Sequence, residues 1–140
     1  MVNDSKDIFV WSDSYSVGNP TLDAQHQRLL SVCRQLDEIL SRPAEGRRVL
    51  LEVLLTELME LSLEHFQTEQ RILEAIDYPA WDNEAREHEE FIRDLTAMLN
   101  QVRSDTPVSG GLKFSLSGAM IDHLLHADSR YKPYLAYSLA

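Results

Sequence analysis

The chain has 140 residues, 44% of them apolar and 26% charged, and its 13 basic against 23 acidic residues leave a net charge of −10. That length supports one domain burying roughly two-thirds of the surface an unfolded chain exposes, and the charge argues against a nucleic-acid or anionic-membrane partner. No apolar run approaches the roughly 18–20 residues needed to cross a bilayer, the opening Met1-Val2-Asn3-Asp4-Ser5-Lys6 is not a secretion signal, and the single Cys33 suits a reducing, cytoplasmic setting.

The first twenty residues read as an extended N-terminal arm, with Trp11, Tyr15 and Val17 folded back onto the rest. Asn19-Pro20 then has the form of an N-cap followed by a first-turn proline. A first helix from Thr21 to Ser41 places Leu22, His26, Leu29, Leu30, Cys33, Leu36 and Leu40 on one face, where Cys33 packs rather than reacts, and Arg42-Pro43 ends it. A second, from Ala44 to Ile76, carries a stripe of leucines interrupted by His65 and Glu69, and Asp77-Tyr78-Pro79 breaks the pattern. The third, Trp81 to Arg103, sets Trp81, Glu84, His88, Phe91, Leu95 and Met98 in register. Pro107, Ser109, Gly110 and Gly111 connect it to a fourth, Leu112 to Asp128, with Leu116, Ala119, Met120 and His123 on one side. A short last helix runs through Tyr131, Tyr134 and Leu135. No segment alternates as a strand does, so the expected fold is all-α: an up-down-up-down four-helix bundle with an extended arm and a short C-terminal helix.

Four of the five histidines therefore fall on the apolar stripes of four helices, two of them with a carboxylate one turn away. A polar group on such a face must find a partner or cost about 1–3 kcal/mol, more if charged. Residues four apart on a helix point the same way, so His65/Glu69 and Glu84/His88 can each present two ligands to one point. Imidazole plus carboxylate suits iron, manganese or zinc, and bridging carboxylates make two ions more natural than one. On the fourth helix, spacing favours Asp122 with His126, because His123 and Asp128 are five apart and diverge by about 140°. The apolar stripe selects His123 instead, and the residues alone leave the choice open.

The pattern as a whole resembles the bacterial single-domain hemerythrins over nearly the full chain. The elements that carry the resemblance are Trp11, Tyr15-Ser16-Val17-Gly18, Asp23-Ala24-Gln25-His26, His65-x3-Glu69, Tyr78-Pro79, His88 with Phe91, and His123-x4-Asp128 with Tyr131. The resemblance implies one hemerythrin-like domain over 1–140, with the arm at 1–20 and the helical bundle at 21–140. It implies two non-haem iron ions with an oxo or hydroxo bridge, and dioxygen as the ligand. Glu69 and Asp128 would bridge the irons, His26 and His65 would hold the iron with an open position, and His88 and His123 the other. His126 and Asp122 would then not be ligands.

Two positions depart from the family. It places a histidine four residues before His88, where this chain has Glu84. Either the ligand is lost to water or Glu84 ligates. Its inward position favours ligation, since a lone buried carboxylate is costly. A third carboxylate would lower the positive charge of the centre and favour its diferric state. The family usually has tryptophan four residues before the histidine matched by His123, where this chain has Ala119 beside Gly118. That would leave a void or an access route unless Trp81 or Tyr78 fills it, and Met120 would form a wall of the dioxygen pocket.

The leading expectation is a dioxygen-binding metalloprotein rather than an enzyme, serving carriage, storage or delivery. Sensing would need a docked protein partner or a homodimer, since no signalling domain is attached. The alternative is a di-iron redox enzyme acting on dioxygen, peroxide or nitric oxide, or a redox sensor that autoxidises to the diferric state.

Overall fold

A computed structural model of the chain describes residues 9–43, 45–104, 118, 120, 122, 123 and 130–139. All regular structure among them is helical. A 3-10 turn at Asp13–Tyr15 leads to α1 (Pro20–Leu40), α2 (Arg48–Ala75) and α3 (Trp81–Arg103). Residues 118, 120, 122 and 123 are also helical, and α4 (Lys132–Leu139) follows. No described helix is long and apolar enough to cross a membrane.

The entry to α1 is built as its sequence suggests. The Asn19 side chain accepts from the Leu22 backbone N–H at 3.0 Å, with Pro20 in the first turn. The Asp23 carboxylate accepts from the Val17 N–H at 2.8 Å and from the Ser16 hydroxyl at 2.6 Å, and Gly18 supplies the positive φ of 79° that the turn between them needs. Tyr15 and Val17 are buried, and Trp11 stacks on Tyr15.

The second helix begins at Arg48, four residues later than the expected start at Ala44. Gly46 leaves the helical region at φ +76°. Arg47 closes the loop, its guanidinium donating to the carbonyls of Leu40 at 3.1 Å and Arg42 at 2.7 Å. At its other side α2 meets α3, where Arg48 donates to the carbonyls of Val102 and Arg103. Gln25 of α1 bonds His65 and Thr68 of α2, so α2 packs against both of its neighbours.

The apolar interior falls into two bodies. The larger gathers Leu29, Leu30 and Leu36 of α1, Leu51 to Leu58 and Phe66 of α2, Phe91 to Val102 of α3, and Met120. The smaller holds Val17, Leu22, Leu73, Tyr78, Tyr131 and Leu135. On α1, His26 lies between Leu22 of the small body and Leu29 of the large one, and on α2 Glu69 lies between Leu73 and Phe66. A layer of polar side chains thus separates the two. Trp81 does not contribute to either: as the first residue of α3 it is 40% exposed. Gly118 is also exposed, with open space where a Cβ would lie, so it faces away from the core rather than opening a void in it.

Candidate metal centre

The layer between the apolar bodies is where the histidines and carboxylates meet. α1 contributes His26, α2 His65 and Glu69 one turn apart, and α3 Glu84 and His88 one turn apart, with His123 joining them. All six are buried, and His26, His65 and Glu69 are fully so.

The atoms converge tightly. His65 Nε2 lies 3.2 Å from the Nε2 atoms of both His26 and His123 and 3.1 Å from Glu69 Oε2. His123 Nε2 is 3.3 Å from the same Glu69 oxygen, while Glu69 Oε1 meets His88 Nε2 at 2.9 Å. Gln25 Oε1 can only accept, so His65 donates to it through Nδ1 at 2.9 Å. In a neutral ring this leaves His65 Nε2 with a bare lone pair aimed at two other imidazole nitrogens and a carboxylate. Tyr131 donates to Glu69 Oε2 at 2.7 Å, and Gln70 reaches His88 Nδ1 at 3.3 Å.

Protonation follows from this packing. Burial, reinforced by the neighbouring His65 and His123, pushes the His26 pKa down to about 2. Burial likewise lowers His65 and His88 against the pull of Glu69. For Glu69, burial opposes ionisation, but His123 and His65 win and hold the carboxyl well below its usual range. His123 is raised, because the Glu69 charge outweighs burial there. Burial and then Glu69 push Glu84 up, opposed by Arg130 and His123. At His26, His65 and His88 the neutral imidazole beside an ionised carboxylate is the state that metal coordination requires, whereas His123 would have to give up a proton to a metal.

Such a cluster cannot satisfy itself. Between two facing ring nitrogens only one proton fits, and three Nε2 atoms share one small space with a carboxylate oxygen. Neither Glu84 oxygen has a hydrogen-bond partner, although the side chain is 1% exposed. A cation would accept all of these lone pairs at once, so the donor chemistry fits a metal. Two four-residue sets, each with donor atoms within 4.8 Å of one another, can be drawn: His26, His65, Glu69 and His123, and Glu69, Glu84, His88 and His123. They share Glu69, whose two oxygens could serve two adjacent ions, and His123, whose Nε2 has one lone pair and could serve only one of them. Beside the second set, a cavity of about 350 Å³ is lined by Phe66, His88, Phe91 and His123 together with acidic residues.

Of the residues expected from sequence, His26, His65, Glu69, Glu84, His88 and His123 are brought together, and Met120 is fully buried in the larger apolar body. Asp128 and His126 lie outside the described residues, as does position 119, while Asp122 is exposed and lines the cavity. Gln25, Gln70, Tyr131 and Arg130 were not assigned site roles by sequence reasoning. Gln25 and Tyr131 carried a signal: each is a polar group next to an expected ligand or in the motif that follows it.

Residues 17–135 match the family model described as the hemerythrin HHE cation binding domain. The chain belongs to the hemerythrin family. Among its relatives is a bacteriohemerythrin of Stenotrophomonas maltophilia, 25% identical over 124 residues that span 89% of this chain and 79% of the relative. A bacteriohemerythrin of Pseudomonas aeruginosa is 25% identical over 131 residues, covering 94% of this chain and 84% of that protein. A myohemerythrin of Riftia pachyptila is 23% identical over 124 residues, covering 89% and 91%. No solved structure matches this hemerythrin significantly. The residues that the family model matches include all six of the convergent donors, from His26 to His123.

Proposed function

We propose that this hemerythrin binds dioxygen at a non-haem di-iron centre, for carriage, storage or delivery within the cytoplasm. The observation that carries the reading is the pair of donor sets joined through the Glu69 carboxylate inside one buried layer. His26 and His65 would hold the iron with an open position. Glu84, His88 and His123 would hold the second, and Glu69 and Asp128 would bridge the two. Two ferrous ions so placed would supply the electrons that reversible dioxygen binding needs, which no side chain can.

The other side chains fix this ligand set. Gln25 holds the His65 ring by its Nδ1–H and is itself held by Thr68, donating to that hydroxyl at 3.1 Å. Tyr131 holds Glu69 from the side of the small apolar body. Phe66 lies flat on His88 with ring centroids 4.0 Å apart, and with Met120 it would keep water from the ligand pocket. We read the chain as one domain over 1–140 with the arm at 1–20 and an up-down-up-down order, and the pairing of α1 with α2 and of α2 with α3 supports neighbouring places for the first three helices. The buried, single Cys33 fits a reducing compartment.

The visible spectrum of the anaerobically reduced, iron-loaded protein tests this reading before oxygen, after oxygen and after its removal. A band that appears with oxygen and bleaches under inert gas is expected. Immediate and irreversible passage to the diferric spectrum would overturn it in favour of redox sensing or catalysis.

A further inference from the structure

Arg130 lies at the edge of the site, and among the described expected ligands it touches Glu84 alone. Its guanidinium forks onto Glu87, Nη1 to Oε1 at 2.8 Å and Nη2 to Oε2 at 3.0 Å. The same Nη1 lies 3.4 Å from Glu84 Oε1. Glu84 and Glu87 are three apart on α3 and share a face, so one guanidinium spans both. The Glu84 contact lacks hydrogen-bond geometry: it is a contact between charges, and the carboxylate keeps its lone pairs free.

That arrangement answers a question the sequence raises. The family carries a neutral imidazole at the position of Glu84. A carboxylate there adds a negative charge to a buried layer that already holds Glu69, and an unpaired buried charge is strongly disfavoured. A planar, permanently charged guanidinium anchored by a bidentate pair is suited to offset it.

We propose that Arg130 is a positioning residue for Glu84. Anchored on Glu87, it offsets the charge of the carboxylate that stands where the family has histidine and engages one oxygen, leaving the other for the metal. The two side chains together deliver what one neutral imidazole delivers elsewhere. This inference rests on the proposed role of Glu84 as a ligand.

Cobalt(II) titrated into the metal-free protein against a competing chelator resolves the two binding steps. Arg130→Gln is expected to weaken one step about tenfold to a hundredfold and to leave the other unchanged. Glu87→Gln, a change at an exposed anchor that leaves Arg130 and Glu84 in place, should weaken the same step in the same direction. In a Glu84→His background, Arg130→Gln should have no further effect. Native affinities in both Arg130→Gln and Glu87→Gln, or an equal loss in the Glu84→His background, would overturn the proposal. Glu84→Gln separates the two readings. If it binds both ions as the native protein does, Glu84 is not a ligand. If it weakens one step while Arg130→Gln does not, the ligand role stands and the role of Arg130 falls.

Discussion

Replacing Tyr131 by Phe removes one oxygen from the molecule and little else. The side chain and Glu69 are both fully buried, and the hydroxyl donates to Glu69 Oε2 at 2.7 Å. A hydrogen bond to a charged acceptor contributes about 1.5–3 kcal/mol net. Glu69 Oε2 keeps His65 at 3.1 Å and His123 at 3.3 Å as neighbours, so it is not left bare and the loss should fall at the lower end, ~1.5–2 kcal/mol. For a chain of this size that corresponds to a melting temperature lower by about 5–7 °C. The assay is urea and thermal unfolding of native and Tyr131→Phe proteins, each with and without iron. Bound metal would hold Glu69 independently, so the difference should shrink in the iron-loaded pair. A loss below about 0.5 kcal/mol in the metal-free protein would refute the claim that this bond restrains Glu69. An equal loss in both states would refute the claim that metal engages Glu69.

Gln25→Leu removes the acceptor that fixes the His65 ring, and metal affinity should fall about tenfold to a hundredfold; a competitive titration that finds native affinity would show that the ring is held by packing alone. Cys33 is 2% exposed and burial pushes its thiol up from 9.0 to about 12. The unfolded thiol therefore loses its proton above pH 9 while the folded one keeps it, so stability should decline between these values by up to about 1.4 kcal/mol per pH unit. A Cys33→Ala protein measured over the same range should lack that share of the slope, and identical slopes would exclude the thiol as its source. Chelation of bound iron should lower the melting temperature, because metal binds the folded state alone; an unchanged midpoint would mean that the buried layer holds no metal. Glu84→His should slow autoxidation, and more so in an Arg130→Gln background, where no guanidinium offsets Glu84. Equal changes in the two backgrounds would separate the guanidinium from the redox balance.

The helices were legible because apolar residues recur at helical spacing, and six expected ligands met because two pairs were already one turn apart in the sequence. The start of α2 was not, since residues 44–47 carry no apolar periodicity to mark a boundary, and Gly46 turns the backbone out of the helical region. Trp81 sits on the stripe of α3 but at its first residue, where periodicity says nothing of whether a neighbour covers it. Arg130 was illegible for a different reason. A guanidinium 43 residues from Glu87 leaves no periodic trace, and counting charges on the expected ligands alone gave Glu84 a full uncompensated charge. Spacing could not choose between His123 and His126. The structure brings His123 to the cluster, as the apolar stripe suggested.

The polar layer also bears on how the molecule comes apart. It divides the interior into a large body and a small one, and the small one is assembled from Val17 and Leu22 near the start and Tyr131 and Leu135 near the end of the chain, closed over Leu73 and Tyr78. Contacts so distant in sequence and so few in number belong at the low end of the local stability range. Across the layer, crowded lone pairs give the two bodies little reason to open together. Ions shared by α1, α2 and α3 would couple them, so metal should determine the cooperativity of unfolding as well as its midpoint. Amide exchange should accordingly show two protection levels in the metal-free chain and one in the loaded chain.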